Sequence, residues 1–371
     1  MTRLATGGLI DRARTINFSF DGRPLTAHPG DTLASALIAN GVRLVGRSFK
    51  YHRPRGILSA GSEEPNALVT LGHDEARTPN TRATQVEPYD GLAAFSQNRW
   101  PALGFDLMAL NDLAAPILGA GFYYKTFMWP ARAWERIYEP LIRRAAGLGA
   151  LSGRPDPDRS EKAYAFADLL VIGGGPAGLM AALTAGRAGA RVILADEDFR
   201  MGGRLNAERL EIDGMPAAQW AAATVAELAS LPNVRLMPRT TITGAYDGGT
   251  YGALERVSGH VGMPPEHVPL DAFWRIAARR AILAAGAIER PVAFPDNDRP
   301  GVMLAGAVRA YVTRWGASPD RTAVFANSDD GWRTALDLAA AGVTVTALID
   351  ARDGVTPPAG PWRVFTGAAV T

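Results

Sequence analysis

The chain has 371 residues, with 39 Lys plus Arg against 37 Asp plus Glu, 47% apolar residues, 40 Gly, 26 Pro and no Cys. That length fits two or three domains with a real core, and a net charge of +2 supplies no long-range field for nucleic acid or an anionic membrane. Without a thiol there can be no disulfide, thiolate nucleophile, thiolate zinc site or cysteine-ligated iron–sulfur cluster.

The opening MTRLATGGLIDRA lacks the apolar run of a secretory signal, so a cytoplasmic location is expected. Residues 15–27 read as a hairpin: Ile16, Phe18 and Phe20 alternate with polar residues and Asp21-Gly22 supplies the turn. A helix capped by Asp31 or Thr32 follows, with Leu33, Ala36, Leu37 and Ile38 apolar and Gly41 at its end. Together with a strand over 67–71 this predicts a small β-grasp unit over 1–95. Residues 96–163 hold Trp100, Phe105, Phe122, Tyr123, Tyr124, Phe127, Trp129 and Trp134 among short helical patterns broken by prolines, which predicts a packed connector. Gly153-Arg154-Pro155-Asp156-Pro157-Asp158 marks a boundary, and a new domain is expected from about Tyr164 to the end.

That last part alternates strand and helix: strand 168–172, helix 177–188, strand 191–195, and strands near 234–237 and 281–285. The rhythm implies a parallel sheet of the Rossmann kind. A second unit of the same kind, nested at 321–352, is predicted as strand 322–326, helix 332–341 and strand 343–349. The uncharged stretch 169–186 reaches the length of a membrane span, but Gly173, Gly174, Gly175 and Pro176 break it, so no membrane span is expected.

Strand 168–172 feeds Gly173-Gly174-Gly175-Pro176-Ala177-Gly178, a G-x-G-x-x-G turn, and Asp196 ends the next strand. The pattern predicts a dinucleotide site: Gly173 for the turn, Gly175 for approach to the pyrophosphate, Gly178 for close packing, the helix N-terminus for the anion and Asp196 for the adenosine ribose. Glu197 beside it disfavours the extra phosphate of NADP. Gly202-Gly203-Arg204 and the strand ending at Gly286 resemble elements of two-dinucleotide flavoproteins; Arg204 reads equally as a surface cation. In the second unit Ala326 and Ser328 replace glycines, and Asp329 and Asp330 would repel a pyrophosphate, which favours a structural role. Arg43, Arg47, Lys50, Arg53 and Arg55, interleaved with Phe49, Tyr51 and His52, read as an interface-covering face more than a nucleic-acid contact. The five histidines show no metal-ligand spacing, and Ser62-Glu63-Glu64 reads as a polar loop. No acid–base pair or nucleophile stands out, which leaves the chemistry to a redox cofactor or to another chain.

On these residues the chain resembles the α subunits of heterotetrameric sarcosine oxidase and, more broadly, opine and proline oxidase subunits. The most specific matches are Gly46–Gly56, Gly121–Met128, the GGGPAG turn and Ala287–Leu304. The resemblance implies a ferredoxin-like first domain, and laying its cysteine loop on Arg55-Gly56 puts Ser59, Glu64 and Ala67 at three cysteine positions, so the domain is expected to lack its cluster. It further implies NAD in this chain, contacted by Ala177, Asp196, Glu197, Arg204 and Ile242, with FAD held by a β chain and FMN at an interface between chains. The family's α chains run on into a folate-binding domain, which this sequence stops short of at Thr371. A Gly-Asp pair that would hold a flavin ribityl chain is missing after Gly286.

The expected function is therefore the α-subunit portion of a complex with β, γ and δ subunits that oxidises sarcosine to glycine and forms hydrogen peroxide. Two rivals remain: a free-standing FAD-dependent NADH oxidoreductase, and a non-catalytic scaffold that binds NAD.

Overall fold

The computed structural model describes residues 2–119, 121–122 and 127–370. The hairpin forms as predicted, Ile16–Phe20 against Arg23–Ala27, because Asp21 and Gly22 both take positive φ (49° and 78°) and so match the strand twist. Thr32 caps the helix Leu33–Ala39 in a reciprocal box with Ser35. These elements complete a five-stranded sheet with Leu68–Leu71, Thr78–Arg82 and Ala93–Ser96, a β-grasp arrangement in which Leu33, Leu37, Val69 and Leu92 are fully buried.

The large sheet differs from the fully parallel one expected. Strands Val234–Met237, Val192–Ala195, Ser160–Ile172 and Asp271–Leu283 are parallel, and Thr250–Arg256 and Thr240–Tyr246 add antiparallel at the edge. The first strand begins at Ser160, not Asp168, and pairs along its length with Asp271–Leu283. Helix Pro176–Arg187 and helix Ala217–Ser230 cover one face, burying Val171, Leu179, Leu194 and Leu228. The second unit is also a parallel sheet, Thr322–Ala326, Val345–Asp350 and Arg363–Thr366, with helix Asp329–Ala340.

The connector is not packed as expected. Trp100, Phe105 and Trp129 are 60%, 65% and 85% exposed, while Tyr123 and Tyr124 lie outside the described residues. It is tied to the β-grasp unit through buried His52, whose Nδ1 lies 2.6 Å from Asp106 Oδ2 and whose Nε2 lies 3.0 Å from the Ala145 carbonyl oxygen. The basic stretch around His52 makes contacts within this chain. Arg47 donates to the Leu103 and His52 carbonyls, Arg53 pairs with Asp296 and Asp298, Arg55 pairs with Asp298 and Arg43 with Asp320. Arg43, Arg53 and Arg55 are thus paired with acids of this chain, which favours the interface-covering reading.

Helix Ala305–Trp315 joins everything. Tyr311 and Trp315 sink into the β-grasp core beside Leu33, Ala34 and Leu37, while Val308 and Val312 face the second unit. Among the described residues no helix is long and apolar enough to cross a membrane. Because Trp315 is fully buried and donates from its indole to the Gly30 carbonyl, Trp315→Ala is expected to cost about 3–5 kcal/mol. Urea unfolding with limited proteolysis checks this: the β-grasp unit and the rest should become separately cleavable.

Candidate functional site

Each glycine of the turn has its own constraint. Gly173 has φ +103°, and a Cβ there would sit 2.5 Å from the Ala284 carbonyl oxygen. A Cβ on Gly178 would sit 1.8 Å from the Gly173 carbonyl oxygen, so helix and strand could not approach as they do. Gly175 is different: its φ is −72° and a Cβ would meet nothing within 4 Å. The protein's own packing does not demand glycine there, whereas close approach of a pyrophosphate does. Gly175 is the N-cap of helix Pro176–Arg187, which begins with Pro176 and Ala177 and carries no acidic residue in its first turn. Its free N–H groups and positive dipole end favour an anion.

The neighbouring segments close around that turn. Gly174 N–H donates to Asp196 Oδ2 and its carbonyl accepts from Gly202 N–H at 2.8 Å. Gly202 and Gly203 take positive φ, and a Cβ on Gly203 would come within 3.0 Å of Gly175 Cα. Ala284 N–H donates to the Ile172 carbonyl at 2.8 Å, which lays the chain leading to Gly286 beside Gly173. Gly286 itself has φ +74° and open space around it.

Asp196 accepts from Gly174 through Oδ2 and from Asp198 N–H through Oδ1 at 2.8 Å, leaving each oxygen a further lone pair for a ribose hydroxyl. Burial pushes its carboxyl up to about 6; the two backbone N–H groups oppose the rise, and Asp198 and Glu197 add to it. Its carbonyl accepts from Thr240 N–H at 2.8 Å, which brings the start of strand Thr240–Tyr246, the strand that carries Ile242, against Asp196. Desolvation of partly buried Asp198 opposes ionisation, but Arg314 at 2.5 and 2.8 Å outweighs this and holds the carboxyl below its ordinary value.

Sequence reasoning missed three partners. Glu197 accepts from the Ser62 hydroxyl of the β-grasp unit, and its carbonyl accepts from Arg256 at 3.0 Å. Arg314 stacks over Phe199 and Trp315 while pairing with Asp198. The Asp196-Glu197-Asp198 run was a visible signal for buried cations; Ser62 carried none. Arg204 pairs with Glu208 at 2.5 Å and with Asp330 at 3.0 Å, and Asp330 is shared with buried Arg309. Asp329 pairs with Arg352. Both acids of the second unit thus serve internal ion pairs. Among the described residues no group of His, Asp and Glu could hold a metal ion.

Residues 13–99 match the family described as a 2Fe-2S iron-sulfur cluster binding domain, and residues 168–242 match the FAD dependent oxidoreductase family. A cysteine-ligated cluster does not fit this chain, which has no cysteine. The alpha subunit of sarcosine oxidase from Rhizobium meliloti (strain 1021) is 60% identical over 94% of this chain and 36% of that protein. The corresponding protein of Corynebacterium sp. (strain P-1) is 39% identical over 97% of this chain and 33% of its own length. An opine oxidase subunit of Agrobacterium tumefaciens (strain Ach5) is 37% identical over 42% of this chain and 30% of that protein. Of solved structures, L-proline dehydrogenase from P. horikoshii superposes with a TM-score of 0.60 at 19% identity, covering 92% of this chain and 54% of that one, which shows a common fold. Over nearly its whole length, then, the chain is homologous to sarcosine oxidase α subunits, and it spans about a third of theirs.

Proposed function

We propose that this chain binds the adenosine diphosphate half of NAD and serves as the α-subunit portion of a multimeric sarcosine oxidase. In that complex sarcosine is oxidised to glycine with formation of hydrogen peroxide, and β, γ and δ subunits with FAD, and FMN at an interface, complete the electron path. The observation that carries the binding site is Gly175, a glycine that neither backbone strain nor internal crowding requires, at the N-terminus of an uncapped helix and next to Gly174, which holds a half-buried Asp196 22 residues further on. A bound dinucleotide supplies hydride-transfer chemistry; the residues here orient it. Gly175 and the first turn of helix Pro176–Arg187 face the pyrophosphate, Asp196 accepts from the ribose, and Glu197 repels a 2′-phosphate.

FAD in the same turn is the second reading, favoured by the match of 168–242 to FAD-dependent oxidoreductases. The stretch Gly286-Ala287-Ile288-Glu289-Arg290 has no acid directly after the glycine to hold a ribityl chain, which weighs toward NAD. Denaturing the purified chain and identifying what it releases by absorbance and mass separates the two: NAD without flavin is expected, whereas stoichiometric FAD would establish a self-contained flavoprotein and no dinucleotide would leave a scaffold that needs partners.

The titration of Asp196 gives a second expectation. Its folded value, about 6, lies above that of an unfolded aspartate, about 3.9. Its contribution to stability is therefore present at low pH and lost as pH rises through about 6. Ribose hydroxyls donate to the ionised carboxylate, so protonation opposes binding. The dissociation constant for NAD is expected to rise about tenfold from pH 7 to pH 5, and Asp196→Asn should flatten that dependence. A pH-independent affinity in calorimetric titration would contradict the assignment.

A further inference from the structure

The resemblance to ferredoxin-like domains puts Ser59, Glu64 and Ala67 at cysteine positions, and in the loop 58–67 one carboxylate stands at the centre. Glu64 is 1% exposed. Its Oε2 accepts from Leu58 N–H at 2.9 Å, Ser59 N–H at 2.6 Å and the Ser59 hydroxyl at 3.2 Å, and its Oε1 accepts from Asn66 N–H at 2.8 Å and Ala67 N–H at 3.0 Å. Donors converging on one anion form a nest, and donors of this kind face sulfurs where a cluster is bound. The carboxylate satisfies all of them, so the loop keeps its wrap without metal.

The same loop is fixed from outside and reaches the nucleotide site. Tyr311 donates to the Ser59 carbonyl at 2.8 Å and Thr84 to the Gly61 carbonyl at 2.7 Å. Between these anchors and Glu64, Ser62 projects across the seam and donates to Glu197 Oε1. Arg256 holds the Glu197 carbonyl while Ser62 holds its carboxylate, beside a cavity of about 50 Å³ lined in part by Ser62, Gln85, Glu197 and Arg256. The glutamate next to Asp196 is thereby held at both its carboxylate and its carbonyl.

We propose that the loop 58–67 is a positioning element of the dinucleotide site: Glu64 takes the place of the metal cluster, and Ser62 so placed holds Glu197 beside the adenosine ribose. This rests on the assignment of Gly173–Gly178 and Asp196 as that site. The test is calorimetric titration of the full chain with ADP, the half common to NAD and FAD. Ser62→Ala is expected to weaken ADP binding about three- to tenfold, Ser62→Thr, which keeps the hydroxyl, to restore it, and Ser62→Ala to have no further effect in a Glu197→Gln background. Glu64→Gln, which turns an acceptor toward N–H groups into a donor, is expected to weaken binding similarly and also to lower stability; the half-buried Ser62 leaves the nest intact and carries the test if Glu64→Gln fails to fold. Equal affinity of wild type and Ser62→Ala would overturn the positioning role while leaving the site assignment standing. Failure of the wild type to bind ADP would overturn both.

Discussion

One helix, Ala305–Trp315, carries the organisation of the molecule. Its aromatic face enters the β-grasp core through Tyr311 and Trp315, and Arg314 leaves the same face to meet Asp198. Buried Arg309 reaches Asp330 of the second unit. A buried guanidinium left alone is strongly destabilising, so each pairing fixes the distance between two units. Arg314 is further held by Phe199 and Trp315 rings at 5.1 and 4.5 Å. The acidic run Asp196–Asp198 therefore cannot shift without disturbing the β-grasp core.

That constraint explains why the site has walls from three parts of the chain. The glycine turn and Asp196 come from the first strand–helix–strand unit, Arg256 from an antiparallel strand and Arg239 from the turn that precedes the other, and Ser62, Gln85 and Glu87 from the β-grasp unit. Arg239 pairs with Glu87 through contacts at 2.5 and 2.7 Å, and Arg256 donates to the Gln85 carbonyl and to Glu197. Two arginines thus bridge the seam while a third, Arg314, closes it from the helix. These charge-assisted hydrogen bonds, shorter and stronger than neutral ones, join the β-grasp unit to the segment that carries Glu197 and Asp198.

Local patterns in the sequence were enough for local structure. Asp21-Gly22, the Thr32 cap and Gly173–Gly178 each act through neighbouring backbone, so spacing predicted the hairpin, the first helix and the turn. The arms Ser160–Ala167 and Asp271–Arg280 were not legible, because Tyr164 and Phe166 are about 70% exposed and break the expected alternation of buried and polar positions. The antiparallel strands Thr240–Tyr246 and Thr250–Arg256 had a turn signal in Gly248-Gly249, both with positive φ, yet their interrupted apolar pattern hid them. Ser62 looked like part of a polar loop because its partner Glu197 lies 135 residues away, and Glu64 did because its partners are mostly backbone N–H groups of its own loop, which leave no mark in the sequence. Arg204 kept two readings open until Asp330, 126 residues on, settled what it pairs with.

The central claim is that the glycine turn, the acid pair and the cluster-free loop form one binding site. Hydrogen exchange of the backbone amides, followed with and without saturating NAD, tests it most directly. The account predicts slower exchange on binding in three separate stretches at once, 173–178, 196–203 and 58–67. Protection of the first two with the loop 58–67 unchanged would contradict the coupling, and no protection at 173–178 would contradict the site itself.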